Sequence, residues 1–479
     1  MNFDLNKRYC YYFDQITKIP HPSFHEEKLS NWIVEWAKEH DFKYKQDDMY
    51  NVIVYKPASP GYENSPVLGI QAHIDMVAEK NSDVDHDFLN DPLKTYVDEE
   101  GWLHATGTTL GADDGVGVAY MLAVLEDDSL KHPPLECIFT VQEEVGLIGA
   151  LHLKKEDISA HRVISLDGGG EYVTAISAAG GCSVIVKAEP EYEANDKKTF
   201  KLTVTGLTGG HSGGMIHLEK GNSIKLLGRI LKEMTFNGAD YNLVCISGGA
   251  KMNAIAREAV AIIATDMSCE DIQKASAKAV KDIKAELEFS DPGFEFVIED
   301  AENAAERMTK GSTSRIVDFI YLVPNGFRHK SMAIENLTLT SLNFGILEME
   351  DKNVKMTISI RSALESGVSH LVETIKVLGG YLKVNVDTEG YYPGWSYKEK
   401  SAMRDIMNQA VKEQYGREIK TVAGHGGCEC GVFCAMYEDM DILSVGANSS
   451  GIHTPEEKLD LESFDRAYKL LVRMIELCR

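Results

Sequence analysis

Four apolar runs of the sequence each lead to side chains that can bind a metal or move a proton. The runs and the residues that follow them are 66–72 with His73-Ile74-Asp75, 137–142 with Glu143-Glu144, 163–166 with Asp167, and 442–445 with His453 after a short loop. Short apolar runs bounded by turn residues are typical of buried strands. Because open α/β sheets place their sites beyond the carboxyl ends of parallel strands, we expect these side chains to converge on one site.

The first two of these endings each pair two chemically competent side chains. His73 and Asp75 lie two residues apart, so on a strand they point the same way, and the carboxylate can orient the imidazole. Taken alone, such a pair is more often a surface feature. Glu143 and Glu144 have no basic neighbour, so outside an exposed loop a metal or a proton must relieve their repulsion. One of them can then bind metal while the other acts as a general base.

The segment Leu110-Gly111-Ala112-Asp113-Asp114-Gly115 precedes an apolar stretch that is typical of a buried helix. Either Asp113 or Asp114 can be the N-cap of that helix, and the alternative is a carboxylate that bridges two metals. Asp167 precedes three glycines, which also fits a plain turn.

The residues after His453 predict a helix start. Thr454 suits an N-cap, Pro455 the first helical position, and Glu457 the third residue of a capping box. This pattern leaves His453 itself unexplained. The combined set of nitrogen and oxygen ligands suits zinc, with Mn²⁺ or Co²⁺ as alternatives, and so many acids favour two metals that share a carboxylate.

In this order, the motifs resemble those of the aminoacylase/carboxypeptidase-type dinuclear zinc metallopeptidases, metallopeptidase family 20. The resemblance spans essentially the whole chain and is strongest to the aminoacyl-histidine dipeptidase (Xaa-His dipeptidase, carnosinase-like) branch. The motifs that carry it are His73-x-Asp75, Gly111-Ala112-Asp113-Asp114-Gly115, Glu143-Glu144-x-Gly146, Leu166-Asp167-Gly168, Gly209-Gly210-His211-Ser212-Gly213-Gly214, Cys428-Glu429-Cys430-Gly431 and His453-Thr454-Pro455.

The resemblance implies two Zn²⁺ ions per subunit, with Co²⁺ or Mn²⁺ as alternatives. It assigns His73 and Asp167 to one ion and Glu144 and His453 to the other, and it makes Asp113 the bridge.

It also implies roles around the metals. Asp75 orients His73, Glu143 is the general base, and His211 polarises the scissile carbonyl, either in its own chain or across a homodimer. Three further residues are assigned to substrate binding, namely Asn253, Arg361 and Glu429.

The resemblance implies hydrolysis of dipeptides, with Xaa-His substrates such as carnosine preferred, by a metal-bound water. A guanidinium such as Arg361 can bind a terminal carboxylate through two parallel hydrogen bonds, which favours short peptides with a free carboxyl end. The alternative is a related two-zinc aminoacylase, tripeptidase or deacylase. A scaffold that binds peptides without turnover is disfavoured, because no ligand or base is missing. The glycine clusters lack the strand and helix context of a dinucleotide site.

The elements around these motifs predict an α/β catalytic domain of the zinc-peptidase type with a mostly parallel sheet. Strand and helix patterns alternate over residues 1–180 and again over residues 388–479. Residues 181–387 instead predict alternating strands with helices, typical of an inserted α+β domain, which we interpret as a lid. In the second part of the catalytic domain, residues 400–415 predict a helix, 441–445 a strand, and a last helix runs to Cys478.

The net charge and the cysteines limit the partners and the cellular compartment that we expect for the protein. With 49 basic and 74 acidic residues among 479, the net charge is −25, which argues against nucleic acid or an anionic membrane as a partner. Nine irregularly spaced cysteines do not fit a disulfide framework, and Cys428, Cys430 and Cys434 favour packing over metal binding. The first residues lack the apolar stretch of a signal peptide, so we expect a cytoplasmic protein with a small peptide substrate.

Overall fold

The structure is a computed structural model that describes residues 3–479. It forms two compact units. Unit 1 consists of the chain up to Ala178, Gly394–Ala423 and Cys428–Arg479, and unit 2 consists of Ala179–Pro393 and Gly424–Gly427. The predicted limits at 180/181 and 387/388 lie within a few residues of two of these junctions, whereas the short return segment Gly424–Gly427 has no counterpart in the prediction. The catalytic and lid roles of the two parts stay predictions.

Helices and strands alternate in the first part of unit 1. A 3-10 helix, Lys155–Asp157, precedes the seventh strand. The elements are α1 (Arg8–Ile16), α2 (Glu27–Glu39), β1 (Lys43–Gln46), β2 (Val52–Lys56), β3 (Leu68–His73), β4 (Thr95–Val97), β5 (Trp102–Ala105), α3 (Ala112–Glu126), β6 (Leu135–Thr140), α4 (Ile148–His152), β7 (Arg162–Ser165) and β8 (Val173–Ala175).

Long antiparallel strands dominate unit 2. A 3-10 helix, Ile216–Leu218, precedes its first helix. The elements are β9 (Gly180–Ala188), β10 (Tyr192–Ala194), β11 (Lys198–Thr205), β12 (Gly210–His211), α5 (Ser223–Phe236), β13 (Asn242–Gly248), β14 (Ala254–Ile255), β15 (Ala259–Thr265), α6 (Cys269–Glu286), β16 (Glu295–Asp300), β17 (Glu306–Met308), α7 (Lys310–Leu322), β18 (Gly326–Lys330), β19 (Thr338–Glu350), β20 (Asn353–Ser362), α8 (Glu365–Leu382) and β21 (Asn385–Tyr392).

The chain then returns to unit 1. The elements there are α9 (Ala402–Tyr415), β22 (Lys420–Val422), α10 (Glu429–Met436), β23 (Asp441–Ser444), β24 (Ser449–Ser450), β25 (Lys458–Asp460) and α11 (Leu461–Leu477).

The main sheet of unit 1 has the order β1-β2-β6-β3-β7-β23. The strands β6, β3, β7 and β23 run parallel, and β1 and β2 form an antiparallel edge. Every residue of β3 and β6 is buried, which is the property of parallel strands that are covered on both faces. This α/β sheet with a parallel centre confirms the predicted fold class, and it brings the ends of β3, β6 and β7 to one edge.

A nine-stranded sheet forms the centre of unit 2, in the order β16-β11-β15-β13-β19-β20-β9-β21 with β18 paired to β19. Its pairings are antiparallel, for example β9 with β20 and β11 with β15. Residues of α5, α6, α7 and α8 share one hydrophobic core with these strands. The unit is therefore α+β, as the alternation in the sequence predicts.

The predicted helix start at Thr454 is wrong. Residues 454–457 form turns, and the last helix begins at Leu461 with Asp460 as its N-cap, whose side chain accepts hydrogen bonds from the N–H groups of Glu462 and Ser463. Glu457 has no part in a capping box, because its carboxylate binds a different segment of the chain, described below. Across residues 3–479, no helix is both long and apolar enough to cross a membrane.

Candidate metal centre

The candidate centre lies at the carboxyl ends of the central strands of unit 1. His73 is the last residue of β3 and pairs in register with Thr140, the last residue of β6. Glu143 and Glu144 follow β6 after a turn in which Gln142 adopts a positive φ of 54°. The parallel register therefore brings the His73 and Glu143-Glu144 endings to the same edge, as the sequence predicts.

Three groups of candidate ligands have ligand atoms within 4.8 Å of one another. These groups are His73 with Asp113 and Asp167, Asp113 with Glu144 and His453, and His73 with Glu143 and Glu144. The first two groups share Asp113 and have the composition that the resemblance assigns to the two zinc ions. The ligand roles themselves stay a prediction.

Asp75 is 2% exposed and connects the two strand endings. Its carboxylate accepts hydrogen bonds from the backbone N–H groups of Glu143, at 3.0 Å, and Glu144, at 3.3 Å, and from the Ser23 hydroxyl at 2.7 Å. His73 Nδ1 lies 3.4 Å from Asp75 Oδ1 and 3.0 Å from the Asp75 carbonyl oxygen. Asp75 therefore fixes the Glu143-Glu144 backbone as well as the His73 ring. Ser23 was not predicted, since nothing in the sequence around it suggests this contact.

The two adjacent aspartates at the start of α3 have different surroundings. Asp113 Oδ1 lies 3.0 Å from His73 Nε2, and Asp113 Oδ2 lies 3.5 Å from His453 Nε2. Asp114 is buried and its Oδ1 accepts a hydrogen bond from the N–H of Gly117 at 3.1 Å. Asp114 thus supports the first turn of the helix, and Asp113 reaches both histidines. The bond from Gly117 to Asp114 is like that of an N-cap side chain, although the N-cap of α3 is Gly111, and the bridging role of Asp113 stays a prediction.

Asp167 follows β7 at a place where two backbones pass closely. A Cβ added to Gly168 would lie 2.6 Å from the backbone nitrogen and carbonyl carbon of Val445, which follows β23. The glycine is therefore required for the approach of the two strand ends, a role the turn interpretation does not capture. Asp167 is placed by the same contact.

His453 is the most exposed candidate ligand, with 49% of its side chain accessible. Its Nε2 lies 2.8 Å from Glu144 Oε1. The residue has a positive φ of 64° in the loop between β24 and β25, outside any helix.

The crowding of acids determines how the site titrates. Burial raises the pKa of Glu143 to about 9, and the charges of Asp167, Glu429 and Glu144 add to the rise. Burial and the Asp113 carboxylate raise the pKa of Asp167 to about 7. Burial acts against ionisation of Asp113, but the hydrogen bonds from the two histidines outweigh it and lower its pKa.

The pKa values of His453 and His73 are raised, whereas burial alone lowers the pKa of an imidazole. Hydrogen bonds to Asp113 and Glu144 raise the pKa of His453 to about 10. Burial opposes the charged form of His73, but hydrogen bonds to Asp113 and Asp75 raise its pKa well above the usual value. Without cations, protons on these histidines and carboxyls therefore balance negative charge that bound cations would otherwise neutralise. Imidazoles and carboxylates at these separations fit divalent cations such as zinc.

Glu429 is 2% exposed and lies inside unit 1. Its Oε2 accepts hydrogen bonds from Gln71 Nε2 at 2.6 Å and from the Thr140 hydroxyl at 2.7 Å, while its Oε1 has no partner. Burial raises its pKa to about 8. The side chain joins Gln71 of β3, two residues before His73, to Thr140 of β6, which pairs with His73, and the sequence does not predict this contact. Its assignment to substrate binding stays a prediction.

The other predicted site residues belong to unit 2. The backbone N–H groups of Gly213 and Gly214 donate to His211 Nδ1 at 3.2 and 3.1 Å. Asn253 is exposed in a loop, and its carbonyl accepts from the N–H of Ser212 at 2.8 Å.

Arg361 lies in a polar cluster of unit 2 with Tyr392, His425 and Ser341, three residues that were not predicted as site residues. Its Nη1 donates to the Tyr392 hydroxyl at 3.3 Å and to the His425 carbonyl at 3.4 Å, and its buried Nε has no partner. His425 Nε2 lies 2.7 Å from the Ser341 hydroxyl. Burial and the charge of Arg361 lower the pKa of His425 to about 4.

All nine cysteines are free thiols. Cys428, Cys430 and Cys434 are absent from the ligand groups found among residues 3–479.

Known proteins resemble this chain along nearly its whole length. A family model described as peptidase family M20/M25/M40 matches residues 69–477. The cytosol non-specific dipeptidase of Escherichia coli strain K12 is 36% identical over 467 residues, which cover 97% of this chain and 96% of that protein.

Solved structures of peptidases are also similar to this chain over nearly its whole length. The aminoacylhistidine dipeptidase from Vibrio alginolyticus matches with a TM-score of 0.90 and 34% identity, over 98% of this chain and 96% of that one. Aminopeptidase PepT from Bacillus cereus, with a TM-score of 0.57 and 16% identity over the full length of both chains, shares the fold.

The matched range includes every candidate ligand from His73 to His453. The protein is therefore a hydrolase that acts on peptide bonds, a metal-dependent dipeptidase similar throughout to the Vibrio enzyme. The chain belongs to peptidase family M20/M25/M40.

Proposed function

We propose that the protein is a two-zinc dipeptidase that prefers Xaa-His dipeptides and uses Glu143 as its general base. The observation that carries the proposal is the pair of ligand groups that share Asp113, with Glu143 beside them. The preference for Xaa-His rests on the similarity to the Vibrio aminoacylhistidine dipeptidase. The Escherichia coli relative is named a non-specific dipeptidase of the cytosol, which supports a cytoplasmic location and makes substrate breadth the first property to measure.

The residues that would hold the cations are His73 and Asp167 for one, Glu144 and His453 for the other, and Asp113 for both. When bound, zinc ions lower the pKa of water and polarise a carbonyl group.

Glu143 is suited to move the proton of the attacking water. It lies among the candidate ligands, and Asp75 holds its backbone N–H at 3.0 Å. Its carboxyl has a pKa raised to about 9 by burial and by neighbouring negative charges, which cations in the group would offset. We infer that Glu143 accepts the proton of the water and returns it to the leaving amine.

His211 is suited to stabilise the developing oxyanion. Because the N–H groups of Gly213 and Gly214 donate to Nδ1, the proton of the neutral ring lies on Nε2. Burial and Arg361 lower the pKa of His211, so the ring is neutral near pH 7 and its Nε2–H is a donor. Arg361 has an unpartnered buried Nε–H that can serve the carboxylate of a substrate.

Metal analysis combined with a substrate panel tests the proposal. The panel contains carnosine, other Xaa-His dipeptides, dipeptides without histidine, tripeptides and N-acyl amino acids. Two zinc equivalents with the highest kcat/KM on Xaa-His dipeptides are expected. Equal rates on all dipeptides would overturn the histidine preference alone, whereas faster turnover of N-acyl amino acids or tripeptides would favour the aminoacylase, deacylase or tripeptidase alternative.

Glu143→Gln separates catalysis from metal binding. We expect kcat to fall about 10²- to 10⁴-fold, because the amide cannot accept the proton, while the zinc content remains two equivalents. Activity assays and metal analysis of the same sample provide the measurement. Glu136→Gln is the matched control, since Glu136 is a buried acid on β6 that binds the N–H groups of Ser159 and Ala160. Wild-type kcat in Glu143→Gln would contradict the assignment.

A further inference from the structure

Glu457 is a buried carboxylate that binds only backbone amides. It is 2% exposed. Its Oε2 accepts from the N–H groups of Leu110, at 2.7 Å, and Gly111, at 3.0 Å, and its Oε1 accepts from Ala112, at 2.8 Å, and Asp113, at 3.3 Å. Burial raises the pKa of Glu457, and these N–H groups oppose the rise because they stabilise the carboxylate. Four consecutive amides are therefore held by one side chain.

These four amides belong to the segment that places Asp113. Gly111 has a positive φ of 69°, and Asp113 and Asp114 have non-helical backbone angles at the start of α3. The first N–H groups of a helix have no partner within the helix, and an anion near them is favoured by the helix dipole. Glu457 satisfies these groups, so the path of the backbone at Asp113 depends on this carboxylate.

The carboxylate also belongs to the loop that carries His453. Thr454 N–H donates to the Gly451 carbonyl at 3.1 Å, and Glu457 N–H donates to the Thr454 carbonyl at 3.0 Å, so residues 451–457 form a compact turn. Glu457 therefore ties the His453 loop to the Asp113 segment. His453 Nε2 lies 3.5 Å from Asp113 Oδ2, so the two candidate ligands meet where Glu457 joins their segments.

The pairing of β25 with β5 does not hold the 110–113 segment in the way that Glu457 does. Directly after Glu457, β25 pairs with β5, with Lys458 opposite His104. That pairing anchors the chain to β5, which ends at Ala105, before the 110–113 segment begins. The bonds of Glu457 reach the segment itself.

We propose that Glu457 is a positioning residue that sets the separation of Asp113 and His453 and thereby the affinity of the Asp113–Glu144–His453 group for its cation. This inference rests on the proposed metal site. It assigns no contact with substrate or cation to Glu457, which acts through the backbone of one ligand and the loop of the other. Residues that orient metal ligands in this way typically change affinity about 10- to 100-fold when they are replaced.

Glu457→Gln is the direct test. The side chain keeps its size, but its NH₂ group faces two backbone donors in place of an acceptor. Metal-stripped wild-type and variant proteins are titrated with zinc by calorimetry. We expect wild-type protein to bind two equivalents of zinc. The variant should bind the more weakly held of the two ions about 10- to 100-fold less tightly than wild type does. Raising the zinc concentration should restore the kcat of the variant, because its catalytic groups are unchanged and mass action offsets the weaker affinity.

Two comparisons sharpen this test. Glu136→Gln also removes a buried carboxylate that binds backbone amides in unit 1, but it serves Ser159 and Ala160, which carry no candidate ligand. It should leave both zinc affinities within about twofold of wild type, below the effect expected for a residue that orients a ligand. Glu457→Asp keeps the charge but shortens the side chain, so it should also weaken zinc binding, because the carboxylate no longer reaches all four amides.

Hydrogen exchange of metal-free wild-type protein provides a measurement that needs no variant. The amides of residues 110–113 should be protected although zinc is absent, because Glu457 holds them. Rapid exchange of these amides, or unchanged zinc affinities in Glu457→Gln, would overturn the role of Glu457. A wild-type protein that binds fewer than two zinc equivalents would instead overturn the two-zinc proposal, and the role of Glu457 with it.

Discussion

Acidic side chains in the candidate centre hold protons at neutral pH as long as no cation is bound. Burial raises the pKa of Glu143 to about 9 and that of Asp167 to about 7, so in metal-free protein both carboxyls keep their protons to a higher pH than ordinary carboxyls do. Cations and protons therefore compete for the same group. Because raised carboxyl pKa values keep the protons on until higher pH, the affinity for zinc must increase as the pH rises through this range.

Proton release on zinc binding measures this competition. We expect at least about one proton per protein to be released at pH 7, from Glu143, Asp167 and His453 together, and zinc affinity to increase as the pH rises toward the pKa values of Glu143, about 9, and His453, about 10. Calorimetric titrations in buffers of different ionisation enthalpy give the number of protons. Glu143→Gln is the control, since its amide does not titrate and fewer protons should be released. Equal proton release in the variant and the wild type would contradict the titration of Glu143.

The strand ends are the elements that assemble the centre, and Gly168 makes a close backbone contact with Val445 there. We expect Gly168→Ala to lower the free energy of unfolding by about 1–3 kcal/mol, because its Cβ would lie 2.6 Å from the Val445 backbone. Zinc affinity should fall too, because Asp167 is adjacent. Urea unfolding and zinc titration are the measurements.

The neighbouring glycine offers a matched control. A Cβ added to Gly169 meets nothing within 4 Å, so Gly169→Ala should leave stability nearly unchanged. Equal losses of stability in the two variants would show that steric contact with Val445 is not the cause.

Elements with clear periodicity are predictable from the sequence. The strands predicted from the apolar runs 66–72 and 137–142 are confirmed within about two residues by β3 (Leu68–His73) and β6 (Leu135–Thr140). These elements have strong apolar patterns and carry the polar endings that identify the centre.

Contacts made by side chains across long sequence separations were not predictable. The sequence around Thr454 satisfies the local rules for a helix start, yet Glu457 binds amides more than 340 positions away and no helix forms there. In the same way, Glu429 reaches Gln71 and Thr140. Local residue types do not reveal which tertiary partner a carboxylate will find.

At the scale of the whole molecule, all candidate metal ligands belong to unit 1. Its core contains aromatic residues of α1, α3 and α11, such as Tyr12, Tyr120 and Phe464, whereas unit 2 has a separate core around its nine-stranded sheet. The four tryptophans, Trp32, Trp36, Trp102 and Trp395, also lie in unit 1. Tryptophan fluorescence therefore reports on the unit that would bind the metals.

Zinc should stabilise the two units unequally. We expect zinc at about 100 times its Kd to add about 2.7 kcal/mol to the stability of unit 1 and to raise the melting temperature seen by tryptophan fluorescence. Hydrogen exchange should show new protection in peptides of unit 1 and little in those of unit 2. Asp113→Asn, which removes a charge shared by two ligand groups, should abolish both effects. Equal protection of both units would contradict the prediction.

The candidate centre explains why some of the acids behind the net charge of −25 are present. A few of the acids form the candidate centre, where cations would locally reverse the sign of the potential. An anionic substrate group can thus be attracted to an acidic protein.

The division of unit 1 into separate chain segments has a consequence for synthesis on the ribosome. The continuous stretch Ala179–Pro393, with all strands of the large sheet, emerges before β23, the His453 loop and α11 exist. Asp113 leaves the ribosome early but can meet His453 and Glu457 only after the chain beyond residue 457 has emerged. A nascent chain halted after Pro393 therefore lacks His453 and Glu457, so the candidate centre can be assembled only after these later residues have been synthesised.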